Sequence, residues 1–266
     1  MHSINLEELN LRTDLLIDQN IKKNIHKKQT SENYEIITSN LNNNNYTTIT
    51  FKDITDKDNY KEILKIFINE LKKYLKVTKD DIFLVIGLGN DKSTPDSLGP
   101  QTINNILVTR YLYLLGDVEE GYSNVCSFIP NVTGNTGIET QNIIKSIITE
   151  TKANKVVIID ALKTNNLNRL AKAIQITDSG IHPGSGMNNT RKEISKKTTN
   201  SEIIAIGIPT VVDIKTILKD YKINNVKENL MVTPTNIDFL IEKFALLLGE
   251  GLNISLHKNY IRQINQ

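Results

Sequence analysis

The chain has 266 residues, enough for one large domain or two small ones, and its 39% hydrophobic and 23% charged residues permit a packed core and exclude wholesale disorder. With 32 basic against 30 acidic residues the formal net charge is +2, which leaves no electrostatic footprint for nucleic acid or an anionic membrane. A single cysteine, Cys126, excludes an intramolecular disulfide framework, fits a reducing compartment and reads as a small buried hydrophobe.

The first twenty residues, MHSINLEELNLRTDLLIDQN, lack a basic region followed by an apolar one and are expected to form a short arm rather than a secretory signal. No stretch approaches the roughly 20 apolar residues of a membrane span, so a cytoplasmic protein is expected. The region of about 21–59 is polar; within it YEIITSN and YTTITF flank an Asn-rich tract and predict a small β-hairpin. NYKEILKIFINELKKYLKV places Ile63, Leu64, Phe67, Ile68, Leu71 and Leu75 at helical spacing. Then the period changes. DIFLVIG is a short apolar run suited to a strand buried on both faces. LGPQTINNILVTRYLYLL predicts a helix with Pro100 in its first turn, SNVCSFIP a strand, and GIETQNIIKSIITETK a helix. KVVIIDAL is a second buried strand, AKAIQIT and SEIIAIGIPT two more, and a closing helix follows with Thr235 as its cap. GIPTVVD reads either as a turn leaving a strand or as structural punctuation, and INNVKENL as a surface connection. Alternation of strand and helix predicts an α/β fold, a mainly parallel central sheet flanked by helices.

Chemistry concentrates after DIFLVIG. Gly87 and Gly89 begin a G-x-G-x-x-G pattern, but Lys92 stands at the third glycine position and no Walker loop is present, so nucleotide binding is disfavoured. Two carboxylates fit better. Asp96 lies in the loop leaving one central strand, and Asp160 ends another. If those strands are neighbours, both acids reach one rim of the sheet, where ligands bind in such folds. A close pair shares a proton, because two adjacent negative charges repel. One member can then act as base toward water while the other donates to a carbonyl oxygen or leaving amine. The alternative is that each aspartate only caps a turn. TDSGIHPGSGMNNTRKE, with His182, is long enough to be functional. No zinc-type spacing and no serine elbow occurs.

Taken in order, RTDL, GLGN with TPDSLGP, LVTRYL, TGIET, IIDAL, TDSGIHPGSGMNNTRKEIS, AIGIPTVVD and MVTP resemble the germination protease family of spore-forming bacteria. The resemblance implies an endopeptidase made as a self-processing zymogen, with a hydrogenase-maturation-protease-like fold and Asp96 and Asp160 as its catalytic aspartates. It implies cleavage of small acid-soluble spore proteins during germination, after Glu or Asp and before a hydrophobic residue. It also implies homotetramers and a place in the forespore and spore core. Removal of a propeptide at a similar site predicts processing at Asp14–Leu15, giving a propeptide of 1–14 and a single peptidase domain of 15–266. Leu16 departs from the alanine the family prefers at that place, and the connection near 214–230 is expected to lack a family insertion. Arg191 and Lys192 are expected either to attract the acidic residue before the cut or to form a solvated charge pair, and His182 either to bind substrate as a ligand or proton carrier or to bond a backbone carbonyl. No cofactor is expected. Two other classes stay open: a metal-dependent peptidase using Asp96, Asp160 and His182, and a non-catalytic module that binds spore proteins.

Overall fold

The computed structural model of the chain describes residues 14–19, 25–181, 192–221 and 230–260. The strands are β1 (Ile25–Thr30), β2 (Tyr34–Leu41), β3 (Asn44–Phe51), β4 (Ile82–Gly87), β5 (Asn124–Phe128), β6 (Lys155–Thr164), β7 (Ala173–Thr177), β8 (Glu202–Asp213) and β9 (Met231–Val232). The helices are α1 (Lys57–Leu75), α2 (Leu98–Ile103), α3 (Arg110–Leu115), α4 (Thr133–Thr136), α5 (Thr140–Thr151), α6 (Lys196–Thr199), α7 (Ile214–Asp220) and α8 (Ile237–Leu256).

All nine strands among the described residues join one sheet in the order β1-β2-β3-β7-β8-β6-β4-β5, with β9 against β8. The α/β class holds, with helices flanking the sheet, but the expected mainly parallel sheet does not. Only β4–β5, β4–β6 and β6–β8 are parallel; the other five pairings are antiparallel. The reason lies in the connections. Parallel neighbours need a long crossover, whereas β1, β2 and β3 are joined by short turns that allow only reversal. The expected hairpin is present as β2 and β3, turning at Asn42 and Asn43 with φ of 52° and 66°, a conformation that asparagine tolerates better than most residues. It is no separate region, because β3 pairs with β7 and so extends the central sheet.

Strand alternation sorts the core into two faces. Phe83, Val85, Val157, Ile159, Ile204, Ile206, Ile174 and Ile176 meet α1 and α8 through Phe67, Leu71, Phe244 and Leu248. Leu84, Ile86, Val156, Ile158 and Ile203 face α5 through Ile144 and Ile148.

Three local expectations need correction. LGPQTINNILVTRYLYLL is two helices, not one, because α8 captures the chain between them: Leu107 N–H donates to Asn253 Oδ1 (2.9 Å), and Asn253 Nδ2 donates to Asn105 O (2.9 Å). Tertiary bonds thus outweigh helical propensity there. The cap of α8 is Asn236 rather than Thr235. GIPTVVD is no turn, since β8 runs through it to Asp213. INNVKENL lies almost wholly outside the described residues.

At the other end of the sheet a buried ion pair joins Lys155, the first residue of β6, to Asp81 (3.0 Å). Lys155 Nζ also donates to the carbonyls of Leu75 and Lys76, closing the end of α1 (2.7 and 2.9 Å). Burial pushes the Asp81 carboxyl up, but the Thr78 amide and the Lys155 ammonium outweigh it and hold the group below its usual range. Its contribution is therefore complete above the unfolded carboxylate value of about 3.9 and is lost as pH falls through the lower folded value. Lys155→Met strands the carboxylate and should cost about 3–5 kcal/mol in urea unfolding at pH 7. The deficit should shrink toward pH 3; an undiminished deficit there would contradict this assignment.

Candidate active site

β6 outruns β4. Their pairing ends with Gly87 opposite Ile159, and Leu88 N–H adds one more bond to Ile159 O (2.8 Å). Asp160 is the next residue of β6. It is buried, at 6% exposure, and its Oδ1 accepts from the Ala161 amide (2.9 Å). The loop that leaves β4 therefore runs beside Asp160, where β4 has ended.

That loop folds back on itself. Gly89 has φ +117°, and a Cβ there would lie 1.9 Å from the carbonyl oxygen of Asp96. The glycine is needed because Asp96's backbone presses against it, with Asn90 N–H donating to Asp96 O (3.0 Å). Asp96 ends a 3₁₀ turn, Thr94–Asp96, that contacts β6, β8 and α8. Thr210 of β8 ties that turn down by donating to Pro95 O (2.7 Å). The glycines of GLGN thus serve the folding of the aspartate loop, which leaves β4 beside Ile159 while Asp160 stands one residue further along β6.

Beyond Asp160 the same edge of β6 is covered by the arm at 14–19. Asp14 N–H donates to Lys163 O (3.0 Å), and the Asp14 carboxylate accepts from Lys163 N–H (2.9 Å). Leu15 is fully buried between Leu162 and Ala173. Gln175 spans the arm's backbone: its Nε2 donates to Asp14 O (3.1 Å), and its Oε1 accepts from Leu16 N–H (2.9 Å). The turn Leu16–Gln19 then delivers Asp18, which pairs with Arg169 and accepts from Thr164 Oγ1 (2.6 Å) and Asn165 N–H (2.8 Å).

The arm and Asp160 share one face of the sheet. Asp160 and Gln175 both stand opposite Gly207, in register across three strands. Gly207 leaves room for Leu162, whose Cγ would lie 2.4 Å from a Cβ at that position. Leu162 in turn is the floor under Leu15. The Asp14–Leu15 peptide therefore lies over the carboxyl-end half of β6 on the side to which Asp160 points.

Of the residues picked from sequence, Asp160, Asp14 and Leu15 share this face of the sheet, and Asp96 lies in the loop that leaves β4. Lys192 is exposed, and His182 and Arg191 lie outside the described residues. Lys163, Arg169, Gln175 and Gly207 were missed. The available signal was a lysine and a glutamine inside otherwise apolar strands; both are buried, and Lys163 Nζ forms an ion pair with Asp213 (3.3 Å). Cys126 Sγ donates to Phe83 O (3.4 Å), and burial raises its thiol pKa despite Arg110, so it is no thiolate nucleophile. A broad cleft between α1 and α8 has one lining carboxylate, Glu250, and so offers no acidic pair. Among the described residues no three His, Cys, Asp or Glu side chains are grouped to hold a metal, and no helix is long and apolar enough to cross a membrane.

The region thus sets a buried carboxylate, Asp160, and an Asp–Leu peptide held by Lys163 and Gln175 on one face of the sheet. Comparison with known proteins places the chain by family. The family model described as Germination protease matches residues 5–227. A germination protease of Geobacillus sp. (strain WCH70) is 41% identical over 214 residues, covering 78% of this chain and 54% of that protein. One of Bacillus cereus (strain AH187) is 42% identical over the same length and shares. The chain belongs to the germination protease family. It spans about half the length of these curated relatives.

Gly207 gives a test of the arm's seat. Gly207→Val pushes Leu162 up and should cost about 1–3 kcal/mol in stability. It should also raise hydrogen exchange at Leu15 and Leu16 beyond what the global loss explains. Unchanged exchange at those amides would mean that Leu162 does not support the arm.

Proposed function

We propose that this chain is an endopeptidase, made as a zymogen, that cuts its own Asp14–Leu15 bond and then small acid-soluble spore proteins during germination. Cleavage follows an acidic residue and precedes a hydrophobic one. The observation that carries this reading is the placement of the Asp14–Leu15 peptide on the Asp160 face, with the Asp14 carboxylate held by the Lys163 amide. Family membership supports the peptidase class and the spore setting.

In this reading Asp96 and Asp160 share one proton. The ionised member takes a proton from water as its oxygen attacks the Asp14 carbonyl carbon. The neutral member polarises the carbonyl and then protonates the Leu15 nitrogen as the C–N bond breaks. The acidic residue before the cut is read by the Lys163 N–H, and a hydrophobic residue after it fills the seat over Leu162 and Ala173 that Leu15 occupies. His182, Arg191 and Lys192 contact the substrate from the connection between β7 and β8. Residues 1–14 form the propeptide and 15–266 one peptidase domain with a hydrogenase-maturation-protease-like core. The protein assembles as a homotetramer in the forespore and spore core.

Asp96→Asn and Asp160→Asn preserve size and remove the titratable group. Each should slow release of residues 1–14 by about 10²–10⁴-fold, read by intact mass, with the thermal unfolding midpoint little changed. Cleavage at the parent rate in either variant rejects that residue's role. Loss of turnover on adding a chelator, with recovery on adding nickel or zinc, would replace the acid-pair mechanism by metal-assisted hydrolysis.

A further inference from the structure

We infer that Gln175 is a further catalytic residue, an oxyanion donor for cleavage of the Asp14–Leu15 bond. This rests on the reading that this bond is the one cut. Gln175 is 5% exposed, so its amide is held by packing rather than by solvent. Its Nε2 donates to the oxygen of Asp14, the carbonyl that water must attack (3.1 Å). Its Oε1 accepts from Leu16 N–H (2.9 Å). The reverse amide orientation would set donor against donor and acceptor against acceptor, so the hydrogen-bond pattern fixes which atom faces the carbonyl. Asp160 approaches from the same face, two strands away across Gly207.

The step balances without a co-reactant. The water oxygen forms a bond to the Asp14 carbonyl carbon, and the π pair moves to the carbonyl oxygen, where the Gln175 N–H stabilises the new negative charge. One water proton goes to the ionised carboxylate. When the pair returns, the C–N bond breaks; its electrons pass to the Leu15 nitrogen, which takes a proton from the neutral carboxyl group. The products are a new carboxyl terminus at Asp14 and a new amino terminus at Leu15.

Both Gln175 contacts are to main chain. They therefore serve any extended peptide that replaces the arm, and they set one requirement that side-chain preference does not. The second residue after the cut must carry an N–H, so a peptide with proline at that place loses the Oε1 contact.

Gln175→Glu, followed from pH 7 to pH 9 so that the introduced carboxyl is ionised, keeps the acceptor for Leu16 N–H and removes the donor to Asp14 O. It should slow release of residues 1–14 from the full chain by about 10²–10³-fold while the Leu16 amide stays protected from hydrogen exchange. Gln175→Leu, close in shape, should lose both rate and protection while retaining a cooperative thermal transition. The new amino terminus of the parent product is sequenced in parallel. A parent cut at a bond other than Asp14–Leu15 overturns the underlying reading. A parent cut at Asp14–Leu15 with Gln175→Glu at parent rate overturns the oxyanion role alone. Rate and Leu16 protection falling together in Gln175→Glu reduces Gln175 to a clamp and also rejects the catalytic assignment.

Discussion

The site depends on a mismatch of strand lengths. β6 has ten residues, while the parallel pairing to β4 uses only Lys155 to Ile159. The second half of β6 keeps β8 on one side and presents an edge on the other, and an uncovered edge of N–H and C=O groups would template wrong pairing. This chain covers it twice, with Leu88 opposite Ile159 and with Asp14 opposite Lys163. Asp160 lies between those two contacts. The edge that must be covered for stability is thus also the place where the arm comes to rest on the face that carries a buried carboxylate. Adding a strand to a sheet edge is a general way to bind peptides with little regard to sequence.

From that arrangement follows a division of labour. Backbone bonds from Lys163 and the Gln175 side chain hold the peptide's main chain. Two of the arm's side chains add contacts, the Asp14 carboxylate at the Lys163 amide and Leu15 over Leu162 and Ala173. Downstream, Asp18 is almost fully buried against Arg169, Thr164 and Asn165 and fixes the far end of the arm. An arm held at three points keeps the peptide in place, while the rim beside Asp160 is shaped by a loop whose path Gly89 makes possible.

Much of this was legible in the sequence because burial leaves a strong signature. KVVIIDAL, DIFLVIG, AKAIQIT and the spacing in α1 and α8 could hardly be anything but core, yet Asp160, read as the last residue of its strand, lies inside β6, which runs on to Thr164. Orientation was not legible. The same apolar run serves a parallel or an antiparallel neighbour, and only the absence of a crossover helix between the first three strands decides. β8 was read as a strand only through Thr210 and runs on to Asp213, and Gly207 within it is there to admit Leu162. Lys163 and Gln175 were passed over because a polar residue within a strand usually faces solvent. Here each is buried; the Lys163 ammonium pairs with Asp213, 50 positions away, and the Gln175 amide with Asp14 and Leu16, 161 and 159 positions away, which no local pattern encodes.

The central claim is that each chain holds its own Asp14–Leu15 bond in its own cleft. The most direct measurement is the rate at which purified full-length chain loses residues 1–14, followed by intact mass over a hundredfold range of protein concentration. The account predicts first-order loss with a half-time independent of concentration. A rate that rises in proportion to concentration, or a product beginning anywhere but Leu15, would contradict it.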